Sequence, residues 1–301
     1  RLFLADSWAA VVTLVPILFW AFPPNMDFVH YSSELVPVFL LSASFYYLVS
    51  AYLEEERFGR LIASIALASL VPFAKLQAVA IALPIAIIGV LCCLQRNGVR
   101  DLGTRLPWIV LSGFALPVLI LLPVHLSGGW SDFVNSYLSL GLQYGRSFSL
   151  VRAFIGNALF RSPQLFVAGA LQMVIILLFV IAGLSRYRGS GSRPVAHEMV
   201  KRILRWPMIP AIVVFVASAY AIGKPGTGLS HYWQFILIPS VVISGLFIDR
   251  LDSRDYPFFS KIPIVALLGS FVFSRVWVSC FFFNLSLFES RNYHGADLHA
   301  D

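Results

Sequence analysis

The chain has 301 residues, of which 58% are hydrophobic and 12% are charged, and its mean hydropathy is +0.81. A water-soluble domain of this size does not need so much apolar surface, so the composition excludes an ordinary soluble protein and indicates a polytopic helical membrane protein. The net charge of +7 does not indicate nucleic-acid binding, because the basic residues are spread over five loops without interleaved aromatic residues.

Apolar stretches of membrane-spanning length recur along the whole chain. A helix needs ~20 mostly apolar residues to cross the hydrocarbon layer. We therefore predict an all-α fold: one transmembrane domain over residues 1–301, with about nine transmembrane helices and short helices on the outer surface. The predicted spans lie near residues 8–23, 35–52, 61–74, 78–95, 107–124, 164–184, 208–222, 233–248 and 263–283. The third and seventh are short enough to be tilted, partial or re-entrant.

The distribution of basic residues predicts the orientation of these spans. If Arg1 is cytosolic, 15 of the 22 lysines and arginines fall on cytosolic loops, six fall outside, and Arg275 lies within the last span. This bias follows the positive-inside rule. It places the basic loop 185–207 in the cytosol and the loop 125–163 on the outer face. Because the chain opens with Arg1 rather than methionine, we expect a segment upstream of it.

The first outer loop carries four polar side chains within eight residues: Asp27, His30, Tyr31 and Glu34. Offsets of three, four and seven place them on one face of a short helix. Two carboxylates beside a histidine can bind a metal, orient a hydroxyl group or accept its proton. Equally, Glu34 can cap the following helix while Asp27 is simply solvated.

Lys75 stands between two apolar segments and is followed closely by Gln77. It either extends toward lipid headgroups, is buried with an anionic partner, or binds a lipid phosphate with Gln77 as a hydrogen-bonding neighbour.

The loop before the eighth span contains three glycines together with Lys224, His231 and Tyr232. Its glycines allow backbone amides to approach an anion, and Lys224 and His231 supply charge or hydrogen bonds. Tyr232 can also be an interfacial anchor without a ligand. Arg275 is expected to pair with an anionic ligand or a carboxylate, or to extend toward the membrane surface.

Three segments resemble a known family. They are residues 30–34 (HYSSE) leading into 36–41 (VPVFLL), residues 73–77 (FAKLQ) and residues 231–239 (HYWQFILIP). Together with the hydropathy pattern, they resemble the multi-spanning glycosyltransferases of the GT-C class, and most closely the bacterial relatives of the dolichyl-phosphate-mannose protein mannosyltransferases.

The resemblance implies an inverting glycosyltransferase of the bacterial inner membrane, active outside the cytoplasm. Its donor would be a sugar on a polyprenyl phosphate, and its acceptor a glycan, lipid or protein hydroxyl group. Asp27 and Glu34 match a later acidic loop of that class and become the catalytic candidates, with a divalent cation such as Mg²⁺ or Mn²⁺ as a further expectation. The principal acidic loop would lie upstream of Arg1. The implied substrate-binding residues are His30, Tyr31, Lys75, Gln77, Lys224, His231, Tyr232 and Arg275.

Two other functions are compatible with the same pattern. A polymerase or ligase of lipid-linked glycans would bind pyrophosphate through Arg146, Arg152 and Arg161 of the long outer loop. A lipid or solute transporter would place ionisable residues near the midplane of discontinuous helices.

Overall fold

The computed structural model describes residues 34–53, 58–143, 208–224 and 230–252, together with Ala9 and Thr13. The predicted spans 8–23, 164–184 and 263–283 lie outside these residues, as do the loop 185–207 and residues 144–163 of the outer loop. Asp27, His30, Tyr31 and Arg275 lie outside them too.

The described part of the chain is helical throughout and contains no strand, which confirms the all-α fold. The α-helices are α1 (Leu35–Leu53), α2 (Phe58–Ala74), α3 (Val79–Leu126), α4 (Trp130–Asp132), α5 (Leu140–Gln143), α6 (Met208–Gly223) and α7 (Leu237–Asp252). Between them lie 3₁₀ helices at Leu76–Ala78 and Ser230–Ile236 and a π-helix at Phe133–Ser139.

Six predicted spans coincide with these helices. Span 35–52 falls in α1, 61–74 falls in α2, and 208–222 falls in α6. Span 233–248 covers part of α7 and part of the 3₁₀ helix before it. The remaining two, 78–95 and 107–124, fall in α3, except that 78–95 begins at the last residue of the 3₁₀ helix before it. Two described helical segments, Leu76–Leu94 and Gly103–Leu126, are long and apolar enough to cross a membrane. The apolar segments Leu35–Ala51, Phe58–Ala74, Met208–Gly223 and Gln234–Ile243 are shorter.

Helix α3 reverses direction within its 48 helical residues. A Cβ built on Gly89 lies 3.8 Å from the Ile65 side chain, and one built on Gly113 lies 3.6 Å from it. In a straight helix these two positions would be ~36 Å apart at 1.5 Å per residue. The helix axis therefore turns back between Gly89 and Gly113, as expected for two antiparallel spans.

Helices α1, α2, α3 and α6 share an apolar core, with Leu41, Phe45 and Ile85 among its fully buried side chains. Within it, the Ser44 hydroxyl donates to the Ser64 carbonyl at 2.8 Å, and both residues are completely buried. This bond joins α1 to α2 through a polar contact in otherwise apolar surroundings.

The two ends of α2 carry different chemistry. At its start, Arg60 donates to the Ser50 hydroxyl at 2.5 Å, and the Arg105 guanidinium lies 5.1 Å from the centre of the Phe58 ring. At its other end, ~25 Å away along the 17-residue helix, lies Lys75. Two arginines predicted for cytosolic loops thus share one end of the bundle, opposite a lysine predicted for the outer face.

The second half of α3 exposes large apolar side chains in the described structure. Trp108, Phe114 and Leu119 are all more than 60% exposed. A soluble monomer rarely presents so continuous an apolar surface.

Candidate functional site

A buried ion pair lies where the start of α1 meets the end of α2. The Lys75 ammonium is 2.6 Å from a carboxylate oxygen of Glu34. The Glu34 side chain is 1% exposed and that of Lys75 is 20% exposed. The carboxylate is therefore enclosed by protein, whereas the Lys75 side chain is partly exposed.

Glu34 directly precedes α1, and its carbonyl accepts the Val38 N–H at 2.9 Å to form the first turn. Pro37 is tolerated there because the first helical turn does not use its missing N–H. A carboxylate at this position also interacts favourably with the positive end of the helix dipole. The sequence interpretation of Glu34 as a residue at the helix start thus agrees with the observed boundary.

Lys75 is held at a sharp break between α2 and the 3₁₀ helix Leu76–Ala78. Its N–H donates to the Val71 carbonyl at 2.9 Å, and its own backbone is extended, with φ −161° and ψ 118°. The Ala78 N–H then donates to the Lys75 carbonyl at 3.1 Å. A cation at this C-terminal end of α2 is stabilised by the negative end of the helix dipole.

Tyr232 completes the cluster from the distant 3₁₀ helix Ser230–Ile236. The Lys75 ammonium lies 5.3 Å from the centre of the Tyr232 ring, within the range of a cation–π contact. The Tyr232 side chain is 3% exposed, and its neighbours Gln234 and Phe235 are fully buried. Lys75 is therefore positioned by a carboxylate and by the face of an aromatic ring.

The electrostatics of this cluster limit what each group can do. The Lys75 ammonium offsets part of the cost of enclosing the Glu34 carboxylate. An acceptor hydroxyl group has no open path to a carboxylate that is 1% exposed. The Lys75 side chain, in contrast, is partly exposed.

Tyr137 is a site neighbour that the sequence analysis did not include among the candidates. Its hydroxyl donates to the Pro72 carbonyl, three residues before Lys75, and burial raises the pKa of the Tyr137 phenol. Pro72 sits in the last turn of α2, where carbonyls lack helical partners. The predicted end of the helix at residue 74 implies carbonyl groups that need a hydrogen-bond donor. The sequence does not show that Tyr137 is the donor.

Of the predicted site residues, the structure brings together Glu34, Lys75 and Tyr232. Gln77 is half-buried in the 3₁₀ helix that follows Lys75, and Lys224 is half-buried directly after α6, where its N–H donates to the Tyr220 carbonyl at 2.9 Å. The backbone of His231 belongs to the same 3₁₀ helix as Tyr232.

The expected divalent cation receives no ligand set from the described residues. Asp27 lies outside them, and Glu34 is engaged by Lys75. Within the described ranges, no group of three or more histidine, cysteine, aspartate or glutamate side chains is arranged to hold a metal ion.

Comparison of the chain with protein-family models, with curated proteins and with solved structures gives no match.

Proposed function

We propose that the chain is an integral membrane glycosyltransferase that takes a sugar from a polyprenyl phosphate donor and transfers it to an acceptor hydroxyl group outside the cytoplasm. One observation supports this function above others. The three segments that carry the family resemblance meet at a single cluster, in which Glu34, Lys75 and Tyr232 are joined by distances of 2.6 Å and 5.3 Å.

Membrane insertion as a bundle of about nine helices is part of this proposal. It is supported by the two segments of membrane-spanning length and by the exposed apolar side chains of α3. It is also supported by the positions of the basic side chains. Arg60 and Arg105 lie at the start of α2 and Lys75 lies at its end, and the positive-inside rule predicts that cytosolic arginines lie on the opposite side of the membrane from Lys75.

In this proposal Lys75 binds the phosphate of the lipid donor. An ammonium group that meets the charge developing on the departing lipid phosphate lowers the barrier to transfer. Glu34 orients this ammonium instead of acting as the base, because its carboxylate is enclosed. The base that takes the proton of the acceptor hydroxyl group is then Asp27 or another carboxylate.

Two features favour a transferase over a transporter. The charged pair lies where α1 begins and α2 ends, at the predicted outer boundary of the bundle, whereas a transporter built on discontinuous helices has its charged groups near the membrane midplane. Lys75, the partly exposed member of the pair, is a cation, which suits a phosphate ligand.

The experiment measures sugar transfer by the full chain, with any upstream segment, reconstituted with a polyprenyl-phosphate sugar. Lys75→Gln is expected to lower the rate by ~10²–10³, the usual effect of removing a group aimed at developing charge. The double variant Glu34→Gln/Lys75→Gln carries no unpaired buried charge, and it should fold normally yet remain equally inactive. Arg105→Gln, at the other end of the bundle, serves as the matched control.

Transfer at the wild-type rate in the folded double variant would contradict the proposal. Loss of activity in Arg146→Ala, with Lys75 variants unaffected, would instead favour the lipid-linked glycan polymerase or ligase.

A further inference from the structure

The end of α2 leaves the Pro72 carbonyl without a helical partner. In a continued α-helix this oxygen would accept the N–H of Leu76, but the extended conformation of Lys75 interrupts that pattern. A buried carbonyl without a donor is unfavourable, so the chain gains from continuing the helix through Lys75 unless another donor is supplied. The Tyr137 hydroxyl supplies that donor.

The direction of the Lys75 side chain depends on this choice. The observed φ of −161° differs by ~100° from the helical value, and a rotation of that size about the N–Cα bond redirects the side chain. If Lys75 joined α2, its side chain would leave the direction that brings it to Glu34 and Tyr232. The hydroxyl of Tyr137 therefore favours the backbone conformation in which the ion pair forms.

A row of aromatic rings fixes Tyr137 itself. Its ring is stacked on Phe133, with centroids 5.4 Å apart and planes 18° apart. Phe133 in turn lies 5.8 Å from Trp130, which contacts His125 in the last turn of α3 at 6.2 Å. The orientation of the hydroxyl is thus tied to the end of a membrane-length helix.

A second contact holds the same segment on the other side of Lys75. A Cβ built on Gly141 would lie 2.8 Å from the Leu76 side chain, so the backbone at 141 packs directly on Leu76. The contacts of Tyr137 and Gly141 reach Pro72 and Leu76, which flank Lys75 in the chain. Residues 133–143 thus hold the turn from both sides.

We propose that Tyr137 is a positioning residue for Lys75, which acts by occupying the Pro72 carbonyl and so keeping the ammonium beside Glu34 and Tyr232. The consequence for lipid phosphate binding rests on the proposed function, whereas the positioning itself does not.

The first experiment measures the rate at which an acetylating reagent modifies Lys75 in the purified full chain, followed by mass spectrometry. Tyr137→Phe keeps the stacked ring and removes the donor, and we expect the Lys75 rate to rise about fivefold, as loss of one hydrogen bond implies. Lys224 in the same sample reports general unfolding, and its rate should not change. Tyr220→Phe, at an exposed tyrosine, is the matched control, and Glu34→Gln shows the rate of Lys75 without the Glu34 carboxylate.

A rescue separates the donor from general packing. With 4-aminophenylalanine at position 137, the ring keeps an N–H donor and the Lys75 rate should return toward that of the wild type. With O-methyltyrosine it should not. The rescue also covers the case in which Tyr137→Phe folds poorly. An unchanged Lys75 rate in Tyr137→Phe, while Glu34→Gln raises it, would overturn the proposal.

The second experiment measures binding of a polyprenyl monophosphate to the chain in nanodiscs. Tyr137→Phe should weaken binding about fivefold in the wild-type background and have no further effect in the Lys75→Gln background, because coupled residues are not additive. Absence of binding by the wild-type chain would remove the proposed function, and the acetylation rates would still decide the role of Tyr137. Equal effects in both backgrounds would count against positioning through Lys75.

Discussion

The ammonium of Lys75 lies 2.6 Å from the carboxylate of Glu34. This ion pair joins the residue before α1 to the turn between α2 and α3. Glu34 is almost completely enclosed and Lys75 is 20% exposed. Because the two partners differ in exposure, they differ in what their removal costs.

We expect Lys75→Gln to destabilise the chain by ~3–5 kcal/mol, because it removes the ammonium that lies against the enclosed Glu34 carboxylate. Glu34→Gln should cost less, since the remaining ammonium can turn toward solvent. Thermal unfolding in detergent of the two single variants and of Glu34→Gln/Lys75→Gln checks this order. The double variant should recover most of the loss, and a greater loss in Glu34→Gln than in Lys75→Gln would contradict the observed burial.

We expect ionisation of the Tyr137 hydroxyl to lower the stability of the fold at alkaline pH. Because the pKa of its phenol is raised in the folded state, its contribution is complete below the ordinary tyrosine pKa and is lost as pH rises through the folded value. Above about pH 10, the ordinary tyrosine pKa, the melting temperature of the wild type should therefore fall more steeply with pH than that of Tyr137→Phe. Parallel curves would show that ionisation of Tyr137 does not matter for folding.

Close packing of α1, α2 and α3 leaves little room for a side chain at position 89. A Cβ there would lie 2.8 Å from the Leu61 side chain and 3.6 Å from that of Leu48. Gly89→Val is expected to cost ~1–3 kcal/mol through overpacking. Gly103→Ala is the control, because nothing lies within 4 Å of its Cβ and alanine favours a helix by ~0.5–1 kcal/mol. Unfolding temperatures that fall equally in both variants would argue against this packing.

Opposite ends of α2 should face opposite sides of the membrane. In a chain whose own cysteines are replaced by alanine, a cysteine at Asp132, which is exposed on α4 between α3 and Tyr137, should react with an impermeant reagent added to intact cells. A cysteine at Gly59, exposed at the start of α2, should react only after permeabilisation. Labelling of both positions from one side would remove the proposed topology.

Hydropathy alone located the described helices closely. The predicted span 61–74 ends at the last residue of α2, and 208–222 differs from α6 by a single residue at its C-terminal end. Such agreement is expected because an apolar run of this length favours a helix wherever it is buried or in lipid. The sequence also predicted two separate spans at 78–95 and 107–124. The structure has one continuous run of helical residues there, α3, whose axis turns back between the two predicted spans.

The site was less predictable. Lys75 was expected either at the surface or beside an anionic partner, and no pattern in the sequence selects Glu34 as that partner. Tyr137 lies in the predicted outer loop 125–163, and the sequence does not single it out, because its role depends on a carbonyl of a distant helix. Contacts between distant segments follow from how helices pack, which local patterns do not record.

Apolar content and its period act residue by residue along the chain, so the amino-acid sequence was enough to predict that the described segments are helical and include runs of membrane-spanning length. The meeting of Glu34, Lys75 and Tyr232 at one end of α2, and the contact of Tyr137 with the turn between α2 and α3, appear only in the folded molecule. A charge is tolerated in an enclosed position only where packing brings a partner to it, and for Glu34 the partner Lys75 lies far away in the chain.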